Sequence, residues 1–104
     1  MQVETFGQHI RQIRTAKKLL LREVAASLEI DPSLLSRIDT GEKRATREQV
    51  IRLAIILGAS EDDLLIHFLS DRVVYELQDE RLAMKAIVAA ERKITSLRKR
   101  KARS

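Results

Sequence analysis

The chain has 104 residues, enough for one domain with an appendage, and 20 Lys+Arg against 15 Asp+Glu give it a formal charge of +5. Hydrophobic residues at 44%, charged residues at 34%, three glycines and one proline describe a folded, helical chain, not a disordered one or a turn-rich sheet. The absence of cysteine removes disulfides and thiolate chemistry and fits a reducing cytoplasm, and three aromatics (Phe6, Phe68, Tyr75) leave no platform for stacking single-stranded bases. No apolar run approaches the roughly 18 residues of a membrane span. The N-terminus lacks the basic-then-apolar layout of a signal peptide.

Taken in chain order, Thr5 and Gln8 are spaced as a capping box. Phe6, Ile10, Ile13 and Ala16 then form one apolar stripe on a helix ending near Lys18. A short second helix, Leu21 to Leu28, buries Val24, Ala25 and Leu28. Asp31 is an N-cap followed by Pro32 at the first helical position, where its missing N–H costs nothing. This third helix runs to about Asp39, with Leu35 and Ile38 inward and Gly41 as its stop. Thr46 and Gln49 box the fourth helix, which buries Val50, Leu53, Ala54 and Leu57 and stops at Gly58. Ser60 opens a fifth, with Glu61, Asp62 and Asp63 in the turn where the helix dipole favours acids. Leu65, Leu69, Val73 and Leu77 carry it onward unless Ser70-Asp71 breaks it. Asp79 is expected to cap a long final helix on which Ala83, Ile87, Ala90, Ile94 and Leu97 alternate spacings of four and three, the pattern of a helix seam.

Two short helices joined by two or three residues between Leu21 and Gly41 make a helix-turn-helix, with small Ala25 at the crossing point. Its second helix is suited to a DNA major groove. With Leu35 and Ile38 inward, Pro32, Ser33, Ser36, Arg37 and Thr40 lie on the opposite side. Arg37 is the leading candidate for base readout, since a guanidinium pairs bidentately with guanine; the bland reading is an exposed helix arginine in an ion pair. Ser33 and Ser36 reach a base edge or a phosphate, and Leu34 either meets a thymine methyl or simply packs.

The stretch Val24-Ala25 … Ile30-Asp31 … Leu35-Ser36-Arg37-Ile38-Asp39-Thr40-Gly41-Glu42-Lys43-Arg44 resembles the phage-repressor-like (Xre/Cro) family, from about Phe6 to Leu65. The resemblance implies an all-α fold with a five-helix repressor-like domain over residues 1–66; beyond it the residues themselves read as a helical dimerisation extension over 67–97 and a basic tail over 98–104. The resemblance also implies that Lys43, Arg44 and Arg47 lie along the sugar-phosphate backbone, joined by Arg22 and Thr40, and that Arg14 and Asp39 form a structural ion pair. For the loop residues, a merely solvated charge run is the other reading. Two departures stand out. Leu20 and Leu21 replace the family's polar start of helix two, leaving backbone amides and Arg22 for a phosphate. Glu29 takes a turn position that is often glycine, where a side chain is mildly strained.

Charge divides as +3 over residues 1–60, −4 over 61–90 and +6 over 91–104. Two heptads with two alanines are thin for a coiled coil alone, so the C-terminal helices are expected to pair with a second copy, or else to pack on their own domain. The expected protein is a cytoplasmic, homodimeric, sequence-specific regulator of a bacterium, phage or mobile element that binds an inverted-repeat operator in double-stranded DNA. The simplest form represses its own promoter, and the resemblance also admits a restriction-modification controller. The alternative is an antitoxin or anti-regulator whose C-terminal helices bind a partner protein. The tail Arg98 to Arg103 either adds phosphate contacts or stays solvated. No enzyme, cofactor or metal is expected: there is no Gly-rich phosphate loop, and His9 and His67 have no metal-ligand spacing.

Overall fold

A computed structural model describes residues 4–103, all of whose regular structure is helical. The helices are α1 (Phe6–Ala16), α2 (Leu21–Leu28), α3 (Pro32–Thr40), α4 (Arg47–Leu57), α5 (Glu61–Leu77) and α6 (Ala83–Arg103). Their starts follow the caps. Thr5 Oγ1 accepts from Gln8 N at 3.2 Å while Gln8 Oε1 accepts from Thr5 N at 3.0 Å. Thr46 and Gln49 repeat the exchange at 3.1 and 2.9 Å. At α2 the cap is half made: Leu20 has no side-chain acceptor, and only Glu23 reaches back to Leu20 N, at 3.1 Å. Gly41 and Gly58 end α3 and α4 in the left-handed region, as Glu29 ends α2 with φ 61°. Lys18, at φ 59°, is a second left-handed side chain that the sequence did not announce. It follows a helix that ends at Ala16, two residues before the expected stop.

The chain divides into two compact units, Met1–Arg72 and Val73–Ser104, so the division falls inside α5. Among the described residues of the first unit, fourteen buried apolar side chains between Phe6 and Phe68 form one core. In it α3 packs on α1 and α2, and α2 also packs on α4. Gly7 permits the α1–α3 approach: a Cβ there would stand 2.4 Å from the carbonyl oxygens of both Ile38 and Asp39. The Lys17 ammonium donates to the Leu57 carbonyl at the C-terminus of α4, where a cation meets the negative end of the helix dipole.

Ser70 and Asp71 do not break α5. Asp71 is engaged elsewhere: its Oδ2 accepts from Phe6 N at 2.9 Å, satisfying a donor at the start of α1. Beside it Phe6 and Phe68 meet edge to face, with centroids 6.0 Å apart. On the same α1–α5 side His9 and His67, 58 positions apart in sequence, stack at 4.0 Å. Burial disfavours a charged His9 ring, but hydrogen bonds to Asp63 and Glu4 and their negative charge outweigh it, so its pKa lies above the usual value.

The second unit comprises the end of α5, a turn and α6. Asp79 does not cap α6. It lies in a turn closed by hydrogen bonds from Glu80 N to Leu77 O (2.9 Å) and from Ala83 N to Glu80 O (3.2 Å), and the helix begins at Ala83. Residues 98–103 continue α6 without interruption, and none of its 21 residues is buried.

Candidate nucleic-acid interface

The geometry of α3 follows from which of its residues are needed inside. Leu35, Ile38 and Asp39 are buried, so the 3.6-residue period turns Ser33, Ser36, Arg37 and Thr40 outward, where all four are exposed. Leu34 is half-buried and packs against the core, so only part of it is available to a ligand. Ser33 is not a free donor. Its hydroxyl donates to Asp31 Oδ1 at 2.7 Å, and the same oxygen accepts from Ser33 N at 2.8 Å, so the outward-facing hydroxyl offers lone pairs. Those bonds, with Arg37's charge as a smaller contributor, hold the Asp31 carboxyl below its ordinary pKa. Thr40 is committed similarly, donating to Arg37 O at 3.1 Å.

Beneath this face lies the ion pair that orients it. Arg14 Nη2 is 3.1 Å from Asp39 Oδ2, and Arg14 Nη1 donates to Leu19 O at 3.2 Å. The two side chains are 14% and 6% exposed, so the pair is largely withdrawn from water. Asp39 Oδ1 has no hydrogen-bond partner. Burial raises the Asp39 pKa, and the hydrogen bond and charge of Arg14 offset only part of that rise. The pair therefore fixes orientation more than it adds stability. Gly7 was not singled out in the sequence, yet it stands against the same turn of α3. A lone glycine inside a helix pattern is the signal that could have marked it.

After Gly41 the chain folds back on α3, with Lys43 N donating to Arg37 O at 3.1 Å, and buried Ala45 anchors the loop. Lys43, Arg44 and Arg47 are all exposed along this loop and the first turn of α4. Arg22 is exposed in the first turn of α2, beside amides that no Leu20 side chain caps. The first unit thus carries a rigid helix with a polar outer face, continued by a cationic loop.

Residues 5–65 match the family of helix-turn-helix domains. The chain belongs to that family. A curated relative, the uncharacterized HTH-type transcriptional regulator YddM of Escherichia coli (strain K12), is 37% identical over 54 residues. That match covers 52% of this chain and spans 57% of the relative's length. Among solved structures, the clp gene regulator ClgR from C. glutamicum superposes with a TM-score of 0.56 at 32% identity, covering 64% of this chain and 86% of that one. The biofilm master regulator SinR, solved in complex with DNA, has a TM-score of 0.54 at 27% identity and covers 59% of this chain and 98% of its own. The SinR/SinI complex covers 96% of this chain at 21% identity and a TM-score of 0.53, a likeness of fold. No helix among the described residues is long and apolar enough to cross a membrane.

The second unit holds the expected pairing stripe. Ala83 is half-buried, while Ile87, Ala90, Ile94 and Leu97 are exposed. Met84 and Val88 are exposed as well, which makes the apolar surface of α6 broader than the two-position seam.

Proposed function

We propose that this chain is a sequence-specific, double-stranded DNA-binding transcriptional regulator that acts as a homodimer. In this reading α3 enters the major groove of each half of an inverted repeat. The observation that carries it is the outer face of α3, with Ser33, Ser36 and Arg37 exposed on a helix whose inner face is locked by Leu35, Ile38 and the Arg14–Asp39 pair. Arg37 reads a guanine, Ser33 accepts from a base edge, Ser36 accepts from or donates to one, and Leu34 lends its uncovered edge to a thymine methyl. Arg22, Lys43, Arg44 and Arg47 hold phosphates and so set register without carrying sequence information, and Thr40 joins them when its hydroxyl turns from the Arg37 carbonyl. The DNA-bound structure of SinR and the regulator names of the other relatives support this class. An enzymatic reading draws no support from them. Repression of its own promoter is the simplest biology, and control of a restriction-modification operon is a second form of it.

Dimerisation rests on α6, where Ala83, Ile87, Ala90, Ile94 and Leu97 share a face and none of them is buried. Two copies would set their reading helices about 34 Å apart, one turn of DNA. The same exposed face supports a second reading, in which an antitoxin or anti-regulator binds a partner protein there. Selection of bound fragments from a random DNA pool tests the class, and light scattering tests the assembly. Enrichment of an inverted repeat by a dimer is the expected result. No enrichment contradicts DNA reading, and a monomer that co-purifies with another protein favours the second reading.

A further inference from the structure

The fold brings together four groups that the sequence keeps apart: Glu4 just before α1, His9 on α1, and Asp63 and His67 on α5. One ligand atom each from Glu4, His9 and His67 lies within 4.8 Å of the others. We propose that this corner of the first unit is a binding site for a divalent transition-metal ion of the zinc class, held by Glu4, His9 and His67. The donor set is two imidazoles and a carboxylate, which suits zinc better than calcium or magnesium, whose sites are built of oxygens.

The distances are close to those a bound ion needs. Metal–ligand bonds of about 2.0–2.1 Å in a tetrahedron put neighbouring donor atoms roughly 3.4 Å apart. Glu4 Oε1 is 3.2 Å from His9 Nδ1, and the stacked rings of His9 and His67 are 4.0 Å apart with an angle of 21° between their planes. Imidazole lone pairs lie in the ring planes, so the two rings must turn out of their stack for both to converge on one ion. Asp63 supplies the orienting partner such sites use. Its Oδ2 lies 2.6 Å from His9 Nε2 and accepts that proton, so an ion that displaces the proton Nδ1 shares with Glu4 finds Nδ1 as its ligand. Its other oxygen is 4.0 Å from His67 Nε2, one helical turn along α5. The rings keep 18% and 24% side-chain exposure, so an ion can enter without the core opening.

An ion here would join the start of α1 to α5, adding to the Phe6–Asp71 hydrogen bond that already ties them. It would stabilise the folded chain by binding it and not the unfolded one. The core leaves these rings aside, since each is part-exposed, and the proposed DNA contacts lie on other residues. The site therefore stands independently of the proposed function.

The test uses the full-length, untagged chain stripped of metal, titrated with Zn2+ by calorimetry and with Co2+ by visible absorption, alongside thermal unfolding. The expected result is one saturable equivalent per chain, a higher unfolding temperature with Zn2+, and Co2+ bands of a nitrogen-ligated ion. His67→Ala and His9→Ala should each weaken Zn2+ binding about tenfold or more, and Asp63→Asn about tenfold as an orienting partner. Circular dichroism confirms that each variant is folded, and His9→Asn replaces His9→Ala if the latter is not. No saturable binding by the wild-type chain overturns the proposal, as does Zn2+ binding that survives loss of either imidazole.

Discussion

The two units of this chain treat apolar residues in opposite ways. In the first, Val50, Leu53 and Leu64 are fully buried and every helix contributes to one core. In the second, Ile94 and Leu97 keep 52% and 58% of their surface in water on a helix that buries nothing. Burial of a leucine or isoleucine stabilises by about 1.5–3 kcal/mol, so the first unit can hold its fold from within, while α6 keeps that gain unused until something covers it. One region is packed around a core and presents α3; the other leaves an apolar stripe uncovered.

The largest expected effect breaks this contrast directly. Leu53→Ala should cost about 2–5 kcal/mol of folding free energy by opening a cavity, at any protein concentration. Leu97→Ala, on the exposed side of the contrast, should leave the first unit's stability within about 0.5 kcal/mol. It should instead lower the association of the chain. Chemical denaturation and sedimentation, run on both variants across concentrations, check the pair of outcomes.

Next comes the support beneath α3. Arg14→Met leaves the Asp39 carboxylate buried without its cation and should cost about 3 kcal/mol at neutral pH. The sign with pH follows from Asp39. Its folded pKa lies above the ordinary 3.8, so the fold binds that proton more tightly than the unfolded chain does. Its contribution is then fully present below 3.8 and is lost as pH rises through the folded value. Removing Arg14 raises that value further, so the variant's deficit should shrink on acidification. Urea titrations at several pH values and the carboxyl NMR titration of Asp39 measure both. Gly7→Ala attacks the same contact from the other side. Its new methyl meets two backbone oxygens, and a loss of about 2 kcal/mol is expected despite the roughly 1 kcal/mol that alanine gains in helix propensity.

Most of this architecture was legible because it is locally encoded. The boxes at Thr5–Gln8 and Thr46–Gln49, Pro32 after Asp31, and the glycines at 41 and 58 each signal a terminus through a hydrogen bond or a φ value, and the starts of α1, α3 and α4 and the ends of α3 and α4 fall where these residues place them. The outer face of α3 followed from the period alone. The rest depended on partners or turns that the local pattern does not specify. Whether Ser70-Asp71 breaks α5 stays open in the sequence, because nothing nearby reveals that Asp71 accepts from Phe6 N. Asp79 looked like a cap because Ser, Thr, Asp and Asn serve turns as readily as helix starts. Gly7 and the His9–His67 stack are invisible without the α1–α3 and α1–α5 packing that creates them.

The smallest effect expected is a gain. Glu29 holds a left-handed conformation that costs a side chain about 1 kcal/mol, and its ion pair with Arg52 at 3.8 Å is exposed and contributes little. Glu29→Gly relieves the strain but frees the unfolded chain, for a net gain of about 0.5 kcal/mol. This should raise the melting temperature by roughly 2–4 °C, read by calorimetry. Because Glu29 lies in the turn before α3, the variant also tests whether that turn is already set by the surrounding core.

The central claim is that α3 reads bases while the loop after it holds phosphates. The direct measurement is binding of Arg37→Ala and Lys43→Ala to a set of operator variants changed one base pair at a time, over a range of salt. Arg37→Ala should lose about 1–3 kcal/mol of discrimination at one position and leave the others unchanged. Lys43→Ala should weaken all variants alike and reduce the salt slope by about one. An Arg37→Ala protein that binds more weakly with every base preference intact would contradict the account.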